Sequence, residues 1–327
     1  MIVNSYARAS DTGRKRRRNE DSYVVAPPLF AVADGMGGAQ AGEVASQLAA
    51  AVLEETDPGS LSGPERLITL IQEANRRVYE RAASDPSTSG MGTTMTVALV
   101  EPNGVTIAHV GDSRAYRVRE GHLEQLTEDH SLVNELLKSG KLSREEADLH
   151  PQRSVITRAV GTDPDVDAET WVIDAHAGDV FLLCSDGLTD MVGDEDILDI
   201  VERHHEDLDR VTKALVSAAN RNGGEDNITV VAFDIADEGE ETMRMPAQAD
   251  ADPDADTAEH ALPSPTVDTM VVPASEVEQV FVEPGSPEAA EITRREPITP
   301  AARVRLVLTM LVLLAIAAVL LIVGLTR

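Results

Sequence analysis

The stretch Leu29-Phe30-Ala31-Val32-Ala33-Asp34-Gly35-Met36-Gly37-Gly38 joins an unbroken apolar run to an acid and a group of glycines. Five apolar residues bounded by turn formers read as a strand, and Asp-Gly at its exit puts a carboxylate where the chain turns. An isolated Asp-Gly pair is ordinarily a tight turn and nothing more. Here the arrangement recurs. Val180-Phe181-Leu182-Leu183-Cys184 runs into Ser185-Asp186-Gly187, and Asn19-Glu20-Asp21, Gly111-Asp112-Ser113-Arg114 and Gly224-Glu225-Asp226-Asn227 lie elsewhere in the chain. Loops so far apart form one site only if the fold gathers strand ends at one place. Carboxylates and close-approaching backbone carbonyls, without a His or Cys cluster, are the donors that hard cations such as Mg²⁺ and Mn²⁺ prefer.

Outward from these motifs, Tyr23 to Val25 reads as a strand separated from Leu29 to Ala33 by Pro27-Pro28. Ala41 to Thr56 reads as a helix with Val44, Leu48, Ala51 and Val52 on one face, and a second helix opens at Pro64 with the stripe Leu67, Ile71, Ala74 and Val78. From Gly92 the period changes to strands: Thr93 to Val100, a turn at Asn103-Gly104, Val105 to Val110, then Ala115 to Arg119 turning at Glu120-Gly121. Residues 128–161 carry short helices, one opened by the capping box Ser143-Arg144-Glu145-Glu146, and read as a flap between strands. Trp171 to Asp174 and Asp179 to Cys184 return to strand, Glu195 to Arg203 and Leu208 to Arg221 are helical, and Asn227 to Ile235 closes the domain as a β run. Strands and helices come in blocks rather than in alternation. The fold class expected is therefore α+β, with two antiparallel sheets and helices outside them.

Composition divides the 327 residues into a globular part, 1–236, an acidic Pro/Ala-rich linker expected to be disordered, 237–305, and an apolar segment, 306–325. The last has the length of a transmembrane helix, about 20 residues for a hydrocarbon core of about 30 Å. Four arginines precede it and one follows, which predicts a single-pass membrane protein with its globular domain in the cytoplasm. The formal charge is −29, and the stretch from Asp237 to Ala302 alone holds 16 Asp and Glu against 3 Arg. The globular part is also acidic and has no basic stripe, which excludes nucleic acid as a partner. Only the run Arg14-Lys15-Arg16-Arg17-Arg18 is basic, directly before Asn19-Glu20-Asp21. The lone Cys184 supports no disulfide framework and fits a reducing compartment.

Gly13-x-x-Arg16-x-x-Asn19-Glu20-Asp21, Asp34-Gly35-Met36-Gly37-Gly38, Gly90-x-Gly92-Thr93-Thr94, Gly111-Asp112-Ser113-Arg114, Ser185-Asp186-Gly187 and Gly224-x-Asp226-Asn227 stand in one order. In that order the chain resembles the metal-dependent Ser/Thr protein phosphatases of type 2C, over roughly residues 4–235, and its tail resembles the bacterial membrane-anchored members. The resemblance implies a four-layer α-β-β-α sandwich with a binuclear Mn²⁺ or Mg²⁺ site at one end. Asp34 would bridge the metals, Gly35 would lend its carbonyl, Asp186 and Asp226 would ligate one metal, and Glu20 and Asp21 would hold metal-bound waters. Arg16 would grip the substrate phosphate, and Asp112, Asp186 and Asp190 would hold a third, weaker metal. Hydrolysis by a water bridging two cations, without a covalent phosphoenzyme, is the reaction this implies. Expected partners are phosphorylated Ser/Thr proteins, membrane receptor-like Ser/Thr kinases and their substrates, with a monomeric catalytic domain held to the membrane by its C-terminal helix. The alternative is a phosphatase fold that binds metal and phosphopeptide without turnover. Met36 departs from the eukaryotic pattern, where a His follows Asp-Gly as a candidate proton donor; a thioether donates no proton.

Overall fold

Every residue of the run that opens β3 (Leu29–Met36) from Leu29 to Ala33 is buried, because the strand is covered on both faces. Side chains alternate across a strand: Phe30 and Val32 enter one apolar cluster, Leu29 and Ala31 another. The computed structural model describes residues 1–37, 41–56, 61–143, 146–147, 150–237 and 270–271. Around β3 lie β2 (Asp21–Ala26), β5 (Met95–Glu101), β6 (Gly104–Val110) and β10 (Glu169–Ile173), ordered β10-β6-β5-β3-β2, with the short β4 (Gly92–Thr93) paired to the end of β3. A second sheet has the order β1-β12-β11-β7-β8, from β1 (Ile2–Asp11), β12 (Ile228–Ala236), β11 (Val180–Cys184), β7 (Arg114–Arg119) and β8 (His122–Gln125). Neighbouring strands in both sheets are antiparallel.

The two sheets face each other through Phe30, Val32, Val105 and Ile107 on one side and Phe181, Leu183, Val231 and Phe233 on the other. At the centre Phe30 and Phe181 stack on Phe233 with ring centroids 4.3 and 5.2 Å apart. The outer face of the first sheet is covered by α1 (Ala41–Glu55) and α2 (Gly63–Ser84), whose stripe Leu67, Ile71, Ala74 and Val78 is fully buried. On the second sheet lie α4 (Asp186–Thr189), α5 (Asp194–His204) and α6 (Leu208–Arg221), packed on Val180, Leu182, Cys184, Val230 and Ala232. The layering is α-β-β-α, the α+β sandwich expected of the sequence. Between β8 and β10 the flap holds α3 (Leu132–Lys138) and β9 (Val155–Ile156). Ser143 and Glu146 form the expected capping box, the Ser143 N–H donating to Glu146 Oε2 at 2.9 Å and the Glu146 N–H to Ser143 Oγ at 3.3 Å.

One part of the expected fold class is corrected. Among the described residues no helix is long and apolar enough to cross a membrane, and the fold they form is the sandwich alone. Residues 306–325, whose apolar run suggested a span, lie outside the described residues. The membrane as a partner and the single-pass membrane localisation were drawn from that run, and no helix among the described residues supports them. Most of the 237–305 segment also lies outside the described residues; within it, β13 (Met270–Val271) pairs in parallel with β9.

Candidate functional site

Strand order decides which acids meet. Asp21 opens β2 and stands opposite Asp34 in the β2–β3 ladder. Asp186 follows β11, and Asp226 immediately precedes Asn227 and β12, the strand that pairs with β11. Ends of strands from both sheets thus bring Asp21, Asp34, Asp186 and Asp226 together. Asp34 lies within hydrogen-bonding reach of both Asp21 and Asp186. Each of the three keeps part of its surface open to the cleft, yet protein surrounds it deeply enough for burial to dominate its ionisation.

Burial, then the charges of Asp21, Asp186, Asp226 and Asp112, push the Asp34 carboxyl well above the usual range. Asp186 is raised in the same direction by burial and by Asp112, Asp226 and Asp190. Burial lifts Asp21 to about 6 against hydrogen bonds from Thr229 and Ser185 that lower it. Asp112 reaches about 7 through burial and the nearby Asp129 and Asp190, partly offset by Arg114. Asp190, the most exposed of the set, is also raised by burial, against Arg153 and Arg114. So many carboxylates in one cleft cannot all ionise cheaply without a compensating cation.

The surroundings hold these acids by hydrogen bonds that the motifs foreshadow only in part. Ser185 Oγ donates to Asp21 Oδ2 at 2.9 Å and accepts the Thr229 N–H at 3.0 Å. The Asp34 N–H donates to Thr94 Oγ1 at 2.9 Å, and Thr94 Oγ1 is 2.7 Å from Ser113 Oγ. The Asp34 carbonyl accepts the Thr94 N–H and Thr93 Oγ1, both at 2.8 Å. Asn227 clamps three segments: its Oδ1 accepts the Glu20 N–H at 2.7 Å, and its Nδ2 donates to the carbonyls of Thr12 and Arg18 at 3.0 and 2.8 Å. The motif residues Thr93, Thr94, Ser113 and Asn227 carry this scaffold, although sequence reasoning assigned them no role; a small hydroxyl or amide beside each acidic motif was the available signal.

Gly35 shows why glycine follows Asp34. A Cβ there would lie 2.1 Å from the Gly42 carbonyl oxygen and 2.6 Å from that of Glu20. The Glu20 carboxylate lies over Gly42, 2.5 Å from where a Cβ of residue 42 would sit, while its backbone carbonyl accepts the Gly35 N–H at 3.2 Å. Gly13, at φ +77°, brings the basic run against Asp226, whose carbonyl oxygen would be 2.1 Å from a Cβ. Arg16 Nη2 donates to Asp226 Oδ2 at 2.7 Å, so the residue expected to grip phosphate here pairs with an expected metal ligand. Arg153 of the flap lies 3.6 Å from Asp190. Met36 packs with Ile156 and Ala159. His109 and His130 are buried packing residues, their imidazoles pushed down to about 3 chiefly by burial, and His130 Nδ1 accepts the Gly111 N–H at 3.0 Å.

Among the described residues no three acidic, imidazole or thiol groups form a finished ligand set. The donor chemistry nevertheless fits a hard divalent cation. Asp21 Oδ1 and Asp186 Oδ1 are buried without a hydrogen-bond partner, and the groups drawn together are oxygen donors. Buried acceptors that face other acceptors need a proton or a cation.

A family model described as protein phosphatase 2C matches residues 14–225. The chain belongs to the protein phosphatase 2C family. It is 42% identical over 238 residues to the serine/threonine protein phosphatase PstP of Mycobacterium tuberculosis, covering 72% of this chain and 46% of that one, so it spans about half of that relative. It is 41% identical over 233 residues to the serine/threonine phosphatase Stp of Listeria welshimeri, covering 68% of this chain and 92% of that one. Among solved structures, the catalytic domain of PstP in complex with two manganese ions superposes with a TM-score of 0.66 at 39% identity, covering 72% of this chain and 100% of that one.

Proposed function

We propose that the chain is a metal-dependent protein phosphatase that hydrolyses phosphoserine and phosphothreonine monoesters in proteins. The observation that carries the reading is the buried group Asp21, Asp34 and Asp186, with two carboxylate oxygens left unpartnered on a protein phosphatase 2C fold. Two Mn²⁺ or Mg²⁺ ions are the cofactor that this donor set suits. Asp34, the Gly35 carbonyl, Asp186 and Asp226 would hold them, with Glu20 and Asp21 directed to their water shell and Asp112, Asp186 and Asp190 to a third, weaker position. When bound, the pair supplies an acidified water and charge neutralisation at phosphorus.

The chain's own groups supply the rest. Arg16 exchanges its Asp226 contact for the phosphate, whose oxygens match the guanidinium fork. The Asp34 backbone, fixed by Thr93 and Thr94 on both its N–H and its carbonyl, keeps the central carboxylate from turning away when neighbouring charges change. Met36, packed on Ile156 and Ala159, offers no proton, so position 36 takes no part in protonating the leaving alkoxide.

The test is hydrolysis of p-nitrophenyl phosphate and a phosphothreonine peptide by the full chain with Mn²⁺, beside Asp34→Asn. Loss of activity in the variant and in EDTA is expected. Activity that survives either one overturns the reading, while metal and phosphopeptide binding without turnover would point to a binding module instead.

A further inference from the structure

β9 is a strand of two residues with different neighbours on its two edges. On one, Ile156 bridges Ser131 and the Thr157 N–H donates to the His130 carbonyl at 2.8 Å. On the other, β13 pairs with it in parallel, Met270 opposite Val155 and Val271 opposite Ile156. The segment around this strand reaches the acidic site at two places. Ile156 and Ala159 pack on Met36, immediately after Asp34-Gly35, and Arg153 reaches Asp190 at 3.6 Å.

The segment that supplies β13 is distinctive in sequence. Thr266-Val267-Asp268-Thr269-Met270-Val271-Val272 is rich in β-branched residues and bounded by Pro265 and Pro273, in a stretch otherwise made mainly of Pro, Ala and acids. β-Branched residues favour pleated pairing, and proline cannot donate to a ladder, so the sequence delimits one short strand. A ladder of two residue pairs is too weak to hold a peptide in solution. Within one chain, an effective concentration on the order of millimolar makes such weak pairing sufficient.

We propose that the edge of β9 is a strand-docking site for an extended, β-branched peptide, that its occupant is the chain's own Met270–Val271 strand, and that this strap restrains the flap beside the cleft and slows turnover of protein substrates. The second half rests on the phosphatase reading above; the docking does not. The full chain is compared with its double variant Met270→Pro/Val271→Pro, which removes the N–H groups of both strap residues. Hydrogen exchange of the Ile156 amide is read first, because the Val155 and Thr157 N–H groups donate to the Gln152 and His130 carbonyls instead. Loss of about two ladder hydrogen bonds predicts exchange faster by roughly five- to tenfold. Turnover of a phosphothreonine protein is read second: kcat/KM rises several-fold in the variant, and a synthetic peptide of residues 266–272 at millimolar concentration returns it toward the starting value.

Unchanged exchange overturns the docking, and unchanged or lowered kcat/KM beside faster exchange overturns the restraint. If the unsubstituted chain turns over no substrate with Mn²⁺, the phosphatase reading fails instead, and exchange alone decides the docking.

Discussion

Replacing Asp21 by Asn should make the metal-free protein more stable while weakening its response to metal. Asp21 sits at about 6 in the folded chain against an ordinary 3.8, chiefly because it is buried. A carboxyl raised in the folded state binds its proton more tightly there than when unfolded. Its contribution to stability is therefore complete below about pH 4 and is lost as the pH rises through about 6. At pH 8, holding it ionised costs the metal-free fold about 3 kcal/mol at most, and solvation on its cleft side brings the expected figure to about 1–3 kcal/mol. Asn removes this cost. Its carbonyl can still accept from Ser185 Oγ, and its amide replaces Oδ1, a buried acceptor without a partner. Thermal unfolding in EDTA at about pH 8 should show a midpoint higher by about 3–10 °C in Asp21→Asn. The difference should vanish near pH 4, where Asp21 is protonated in the wild type. Adding Mn²⁺ at about pH 8 should raise the wild-type midpoint more than the variant's. A variant less stable than wild type in EDTA at about pH 8 would refute the argument that charge is being held in the cleft against its own repulsion.

Three further outcomes follow from single contacts. Arg16→Ala should raise KM for a phosphopeptide by about tenfold or more, and Arg16→Lys should restore only part of it, because an ammonium lacks the planar fork; steady-state kinetics with Mn²⁺ decide it. Gly35→Ala forces a methyl to within 2.1 Å of backbone oxygen and should destabilise by about 3 kcal/mol or more, read as a lower urea midpoint with an unchanged slope. Thr94→Val leaves the Asp34 N–H without its acceptor and should cost about 1–3 kcal/mol in the same unfolding assay, with kcat falling more than KM rises.

How much of the architecture was legible varies with the environment of each strand. β3, β11 and β12 stand out because both of their faces are buried, so their sequences are almost purely apolar. β1 has the opposite problem. It is an edge strand, mostly half-buried, with a register shift between Val3 and Tyr6, and its residues Ile2 to Asp11 show no clean alternation. Backbone pairing to β12 holds it, and backbone pairing leaves no mark on composition. The four-layer arrangement was legible because blocks of strands and blocks of amphipathic helices have few packed solutions. The strand order was not, since no local pattern says that β11 lies beside β7 as well as β12.

The candidate site divides along the same line. Acidic residues at strand exits are visible because Asp-Gly interrupts an apolar run, and the fold brings Asp34 within reach of both Asp21 and Asp186. The residues that orient them are polar and ordinary in sequence: Thr94 reads as one more Thr in a strand, and Ser113 as a turn residue. Their function is relational, since Thr94 matters because β5 follows the pairing of β3 with β4, which turns its hydroxyl to the Asp34 N–H and to Ser113. Arg16 makes the same point from the other side. Its spacing from Gly13 and Asn19 singles it out of a basic run, but only the fold reveals that its partner is Asp226, 210 positions away. A cation pairing with Asp226 would compete with Arg16 for the same Oδ2, so metal occupancy and the freedom of Arg16 to meet phosphate are coupled through one carboxylate. Weakening that ion pair should help metal and phosphate together, whereas a site in which the two were independent would need no such contact.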